Sequence, residues 1–430
     1  MKEVKGLKNN NIDYSFSNNA KLLMKVAREN QIPILKLDPE HDLFQLGYGR
    51  YSVLFKGLVT EKSSGVFSSL KRPAIINSLL DSLEIKVDNP LKVEKNYKLL
   101  VVNQQLKAVL EVGSSRKVNR LSQLTKESKE LIEKLTQIYN LNLAEISVWT
   151  DDITMPVENW GEISDIEITP DLSQYRKLID LEKMSRELID YYAPARIPII
   201  TVVGNNHEVI VSLVDSILQK VGLKTGIAVN NVIHNQEGIS QRSYNLSLLL
   251  QNKEVEIIVH GIMQQDLTEQ DLPYRESELL IITELSSEQD LTFANSLLKL
   301  NELNSNLIAI NIDQRSNLKL LNHCEEKEII YCSLNPENLV LKHQIKSHQP
   351  AVFTTENNLV IFDGVDQLPV IALERLTPMI KKDSELMLGL LFTVAAAFVF
   401  EIPVFVTRSI LENLTTVLSE ESNRSNMPIN

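Results

Sequence analysis

The chain has 430 residues, 43% of them hydrophobic and 23% charged, an ordinary balance for globular protein. At roughly 100–200 residues per domain this length holds two to four domains. Forty-four Lys and Arg against 56 Asp and Glu leave a net charge of −12, which argues against a general binder of nucleic acid or of an anionic membrane face.

Two cysteines, Cys324 and Cys332, make no disulfide framework and suit a reducing cytoplasm. Met1 to Asn18 is polar and lacks the apolar stretch of a secretory signal. A helix is expected at Ala20–Asn30, closed by Pro33, then a short strand at Ile32–Leu37. Phe44–Gly49 (FQLGYG) reads as a turn-rich segment before a strand around Tyr51–Thr60. A helix follows at Pro73–Leu83. Strands at Tyr97–Asn103 and Lys107–Val112 flank a polar turn at Gln104–Gln105. Helix Leu121–Tyr139, strand Leu143–Val148, strand Ile163–Ile168 and helix Leu172–Tyr192 complete the first half. Pro194 and Pro198 mark the boundary.

The second half alternates apolar strands with helices, the pattern of a parallel α/β sheet. Strands are expected at Ile197–Val203, Thr225–Val229, Val255–Val259, Leu279–Thr283 and Leu307–Asn311. Helices are expected at Val209–Val221, near Tyr244–Leu250, and at Asp290–Leu300. Val352–Thr354 and Leu359–Phe362 read as an antiparallel hairpin. Leu386–Phe400, with Ala395, Ala396 and Ala397, is the most apolar run, but at 15 residues it is short of the ~20 of a membrane span. It reads as a buried helix, followed by a second helix at Thr407–Leu418 and a polar tail.

Glycine is scarce: 14 residues are about half the usual ~7%, a poor start for loops that cradle phosphate. The first strand–turn–helix of the second half is where an α/β nucleotide site would lie. It reads Thr201-Val-Val-Gly204-Asn205-Asn206-His207-Glu208-Val209-Ile210. A phosphate loop of the form Gly-x-x-Gly-Lys-Thr uses a second glycine, a lysine on the phosphates and a hydroxyl on Mg²⁺. Here His207, Glu208 and Val209 stand in those three places, and a carboxylate beside a triphosphate repels it.

The chain resembles the cyanophycin synthetases, which join an ATP-grasp ligase to a Mur-ligase-like ATPase. Ile32-Pro-Ile-Leu-Lys-Leu37 with Phe44-Gln-Leu-Gly-Tyr-Gly49 is similar to the family's IPxxRL…QLGYG segment. Tyr97-Lys-Leu-Leu-Val-Val-Asn103 is similar to YRLLVVN, and Leu143–Ile153 to LxxGIDxxxxDI. Ile197–Glu208 resembles the Mur-ligase first strand and phosphate loop, and Leu388–Pro403 its Ala-rich helix ending in GIP. The resemblance implies an α/β fold. Residues 1–176 would be a reduced ATP-grasp-like α+β region without its lid, and 177–196 a helical linker. Residues 197–430 would be a Mur-ligase-central-domain-like region with a parallel sheet of P-loop type, without the C-terminal Mur domain.

The departures fall on the family's functional positions. The metal-binding Asp of GID is Ser147, and the EVN acids appear as Asp165 and Glu167, a candidate metal pair. Val112 stands where an Arg is expected. The Mg²⁺-binding Glu of LETARGG falls at or near Gly261, in Val259–Gln265, and VVTN becomes Ile281-Ile-Thr-Glu284. Gly204, Asn205, Asn206, His207, Glu208 and Val209 therefore form a degenerate nucleotide-binding loop. The expectation is a catalytically degenerate homologue with no catalytic residue and no cofactor. It would act in the cytoplasm as a binding or regulatory partner of an active cyanophycin synthetase paralogue or of itself, as an oligomer, with neither nucleic acid nor membrane as partner. The alternative is an ATP-dependent acid–amino-acid amide ligase with altered sites. It would use ATP and Mg, with Lys224 and Lys253 as cations near the loop. Asp151 and Asp152 add acids that more commonly cap strand ends. His323, Cys324 and Cys332 lack the spacing of a zinc site, and His234 and His260 lack triad partners at motif spacing.

Overall fold

The structure is a computed structural model that describes residues 16–62, 94–114, 117–160, 162–229, 232–234, 241–242, 246–262, 272–285, 292, 294, 307–324 and 327–413. The helix expected at Pro73–Leu83, most of that at Asp290–Leu300, Met263–Gln265 and the polar tail lie outside the described residues. The chain divides into two compact units, Met1–Arg196 and Ile197–Asn430.

The first unit opens with α1 (Asn18–Glu29), whose start is capped by the Ser17 hydroxyl accepting from the Ala20 N–H at 3.2 Å. A four-stranded antiparallel sheet follows: β1 (Ile34–Asp38), β2 (Leu43–Leu46), β3 (Val53–Lys56) and β4 (Val59–Thr60) in sequential order. The FQLGYG segment is therefore not all turn. Phe44, Gln45 and Leu46 are a strand paired on both sides, with Phe44 stacked on Phe55 at 5.5 Å. Gly47 then crosses the backbone of 194–196 so closely that a Cβ would sit 2.4 Å from the Ala195 carbonyl.

A second antiparallel sheet runs β6 (Gln105–Glu111), β5 (Asn96–Val102), β7 (Leu143–Trp149), β8 (Glu162–Glu167). The β5–β6 turn is Asn103–Gln104, both at positive φ (47° and 61°), the twist-matched form of a two-residue hairpin. One sheet face, with Leu99, Val101, Val109 and Ile146, packs on α2 (Lys126–Ile138). Leu100, Val102, Ala108 and Leu143 on the other face share a core with α1 and with α3 (Leu181–Tyr192). The helix expected at Leu121–Tyr139 is broken, because Thr125 turns out to cap α2. Asp180 caps α3 in the same way, so Leu172–Tyr175 forms a separate short turn. The stretch 177–196, read as a linker, instead buries Met184, Leu188, Ile189 and Tyr192 in this unit's core.

The second unit is built on one sheet of eleven strands. Its central seven are parallel, in the order β10 (Thr225–Val229), β13 (Ile257–Ile262), β9 (Ile199–Val203), β14 (Leu279–Ile282), β15 (Leu307–Asn311), β16 (Glu328–Ser333), β17 (Ala351–Thr354). β11 (Val232–His234) and β12 (Gln241–Arg242) extend one edge antiparallel. β18 (Asn358–Phe362) and β19 (Gln367–Ala372) extend the other. The strands of this sheet's centre are buried along their length, which is why they read as continuous apolar runs.

One face is covered by α4 (His207–Lys220) and by the helix at the apolar run, Ser384–Val399. Counting α5 (Ser247–Gln251), α6 (Arg315–Leu318), α7 (Leu339–Lys346) and α8 (Pro378–Lys382), that helix is α9. It is buried on all sides from Met387 to Ala397. Among the described residues no helix is long and apolar enough to cross a membrane. The two helices meet where Gly389 faces Leu213, and a Cβ on Gly389 would lie 2.7 Å from the Leu213 Cδ1. Gly389→Val is expected to destabilise the unit by about 1–3 kcal/mol through overpacking, read as a lower urea midpoint at unchanged slope.

Candidate functional site

Ligands of open α/β sheets sit outside the carboxyl ends of the strands, where the strand order reverses. Here that place is between β9, which leads to β10 on one side, and β14, from which the chain continues to β15 and β16 on the other. The loop Gly204–Val209 stands at it.

The crevice is closed by main chain. The Asn205 N–H donates to the Glu284 carbonyl at 2.8 Å, an isolated antiparallel bridge across the ends of β9 and β14. The Thr283 hydroxyl donates to the Asn205 carbonyl at 2.6 Å, and its N–H donates to the Val203 carbonyl at 2.9 Å. Gly204 (φ 113°) makes this approach possible, since a Cβ there would lie 2.5 Å from the Thr283 hydroxyl oxygen. The far side is held too. Asn317, fully buried, donates through Nδ2 to the carbonyls of Thr283 and Asn311, and Gln314 donates to the Glu284 carboxylate at 2.8 Å.

The loop is also filled from beneath. Asn206 sits at positive φ (61°) and starts α4 without a side-chain cap. His207 then turns inward, 4% exposed, with Nδ1 3.0 Å from the Gly204 carbonyl. Its ring lies against β13 at Gly261, where a Cβ would be 2.7 Å from His207 Cδ2. The position at which a glutamate was looked for is thus a floor for the imidazole. Glu208 is exposed in the first turn of α4 and Val209 is half-buried against α9. A carboxylate there favours the helix and opposes an anion at its N-terminus.

The opposite sheet face carries a buried polar chain. His260 Nδ1 meets the Tyr274 hydroxyl at 2.8 Å, Tyr274 meets Thr201 Oγ1 at 3.0 Å, and Thr201 donates to Ser277 at 3.0 Å. Burial, and then the neighbouring His207, holds the His260 pKa down to about 3. His260 is therefore a neutral core histidine.

In the first unit most of the acids in question are bonded within the protein, while Asp165 Oδ1 is buried without a hydrogen-bond partner. Glu145 on β7 is 3% exposed, paired with Lys98 Nζ at 2.5 Å and accepting from the Tyr175 hydroxyl at 2.7 Å and from the Gln174 amide. Burial and that carboxylate raise the Tyr175 pKa strongly. Asp165 lies opposite Ser147, and Glu167 lies opposite Glu145 and accepts from Thr169 N and Oγ1 at 2.9 and 2.6 Å. Asp152 accepts from Thr154 N and Oγ1, which lowers its pKa, and Asp151 accepts from the Glu94 N–H. The metal candidates Asp165 and Glu167 thus sit on one strand beside a matched ion pair. Among the described residues no group of three or more His, Cys, Asp or Glu is placed to hold a metal ion.

Cys324 and Cys332 are free and buried, and burial pushes the Cys324 thiol up to about 11. Lys224 pairs with Glu254 at the start of β10, by the strand end away from the loop. Asn317, Tyr274 and Ser277 carry no sequence signal, and Thr283 and Glu284 carry only a partial one. The one signal present was Ile281-Ile-Thr-Glu284, noted for its missing asparagine rather than for its hydroxyl.

No family model matches the chain, and no curated protein matches it. Among solved structures it is similar to a bifunctional glutathione synthetase from Pasteurella multocida, at 9% identity over 42% of this chain and 43% of that one, with a TM-score of 0.35. It is also similar to a UDP-N-acetylmuramoyl-L-alanyl-D-glutamate–2,6-diaminopimelate ligase, at 11% identity over 54% of this chain and 49% of that one, with a TM-score of 0.37. The chain spans less than half the length of each.

Because the His207 ring occupies the space over Gly261, Gly261→Ala is expected to cost about 1–3 kcal/mol in the native background. The cost should fall by about 1 kcal/mol or more in a His207→Ala background, a coupling that a double-mutant cycle in urea reads directly. His260 adds a pH dependence. An unfolded histidine takes a proton near pH 6.5, but the folded one does not until about pH 3. Stability should therefore fall as pH drops through that window, with a shallower slope in His260→Gln.

Proposed function

We propose that the chain is a catalytically degenerate homologue of the cyanophycin synthetase and Mur ligase type, working by binding rather than by ligation. Its partner is an active synthetase of that type or a second copy of itself, and the consequence is regulatory. The observation that supports this reading is the closed turn between β9 and α4. A triphosphate needs backbone N–H groups turned outward, a cation beside them and space over the loop. Here the Asn205 N–H is spent on Glu284, His207 two residues on turns inward, and the residue after that is the acidic Glu208. Opening such a turn would break the Asn205–Glu284 and Thr283–Asn205 bonds and expose a buried imidazole.

An ATP-dependent ligase would be stabilised by its nucleotide. At 100 times its Kd a ligand adds about 2.7 kcal/mol, which for units of this size is roughly 5–10 °C. Millimolar Mg-ATP is expected to leave the melting temperature unchanged. A clear upward shift, with ADP released in the presence of an acid and an amine, would replace this reading by the amide ligase.

A further inference from the structure

The first unit carries a concavity that its sheets and their acids do not use. It has a volume of about 690 Å³ and lies between α1 and the residues that lead into α3. That is the size of an ordinary small-ligand site. Its charge is opposite to that of the chain. Lys21, Lys25, Arg28, Lys36 and Arg176 line it, against Asp180 and Glu182. Both carboxylates are engaged within the protein. Asp180 accepts from the Glu182 and Lys183 N–H groups at the start of α3, each at 3.0 Å, and Glu182 takes Lys25 at 2.6 Å. Lys25 also lies 3.7 Å from Glu29, so Lys25 and Glu182 offset each other and the excess comes from Lys21, Arg28, Lys36 and Arg176. A chain of net charge −12 thus gathers a cationic concavity at one place.

The floor is apolar, from Phe16, Leu22, Met24, Ile179 and Leu181. The cations do not converge on a point. Lys21, Lys25 and Arg28 follow one another at helical spacing along α1, over about 10 Å at 1.5 Å per residue. Carboxylates two residues apart on an extended peptide are about 7 Å apart and share one side. The side chains between them face the other way.

We propose that this groove binds an acidic peptide in extended form. Its carboxylates would lie along the α1 cations and its apolar side chains on the floor formed by Leu22 and Leu181. The proposal uses the first unit alone, so it stands or falls separately from the closed loop of the second.

The test is fluorescence anisotropy on the full chain, with a fluorescein-labelled seven-residue peptide alternating glutamate and leucine. Saturable binding is expected, weakening about tenfold between about 50 and 300 mM salt, as exposed charge pairs are screened. Arg28→Glu with Arg176→Glu should weaken it about tenfold or more, while Lys253→Glu in the other unit should leave it unchanged. Arg28 also favours the C-terminal turn of α1, so the milder pair Arg28→Gln with Arg176→Gln, checked by circular dichroism, repeats the test without reversing that charge. Absence of saturable binding, or equal affinity in all variants, overturns the proposal. So does displacement of the peptide by an equal concentration of tripolyphosphate, which would make the groove a general anion site.

Discussion

The second unit turns on the contact between the ends of β9 and β14. Asn205 and Glu284 share a main-chain bridge, and the Thr283 hydroxyl closes on the Asn205 carbonyl from the side. Here β13 and β14 flank β9, and the chain leaves in opposite directions on its two sides. In a nucleotide-binding sheet this divergence leaves an open crevice with unpaired N–H groups, which is what makes it a site. In this chain one of those N–H groups, that of Asn205, is taken by the Glu284 carbonyl of the neighbouring strand end. Asn317 and Gln314 carry the lacing outward to the end of β15, and Asp313 accepts from Ser333, Asn338 and the Leu334 N–H at the end of β16. The carboxyl edge of the sheet is thus knitted to itself.

Few glycines serve this fold, and those at close approaches face protein rather than open space. Gly204 lies against Thr283, Gly261 against His207, Gly389 against Leu213 and Gly47 against Ala195. The same residue type that lets a backbone approach a phosphate here lets one element approach another. That exchange is consistent across the loop. The small residue at 261 and the large one at 207 are two halves of one packing arrangement, and either alone would leave a clash or a void.

The architecture was readable where periodicity carries it. The parallel strands from Ile199 to Asn311, the β5–β6 hairpin and the hairpin of β17 and β18 follow from apolar runs and polar turns. Boundaries failed where a single polar side chain decides them. Thr125 and Asp180 each stop one helix pattern and begin another by accepting main-chain N–H groups, and no apolar spacing signals that. Phe44–Leu46 was hidden by the glycines after it. Strand β16 and helix α7 were not foreseen, as Ile329–Cys332 is short and Leu339 is the most exposed large apolar residue among the described residues. At the loop, the residue types were legible: a histidine, a glutamate and a valine in place of glycine, lysine and threonine. Their arrangement was not. The partner that closes the turn lies 78 residues away, and which way His207 turns depends on Gly261 in another strand.

The two units resolve their polar residues by one physical rule. Charge inside a fold must find charge or hydrogen bonds, since desolvation is otherwise unmatched. Glu145 has Lys98, Gln174 and Tyr175, and His260 has Tyr274 and stays neutral. Where such a group is answered from within, substituting it changes stability. Surface charge is different. The cations along α1 stay in solvent, with the Lys25 side chain 54% exposed, and solvent screening makes their pairs weak contributors to folding. Residues of this kind, gathered around an apolar floor, can be substituted at little cost to folding. The groove proposed for an acidic peptide thus draws on residues whose substitution costs the fold little, whereas the closed strand ends contribute to stability.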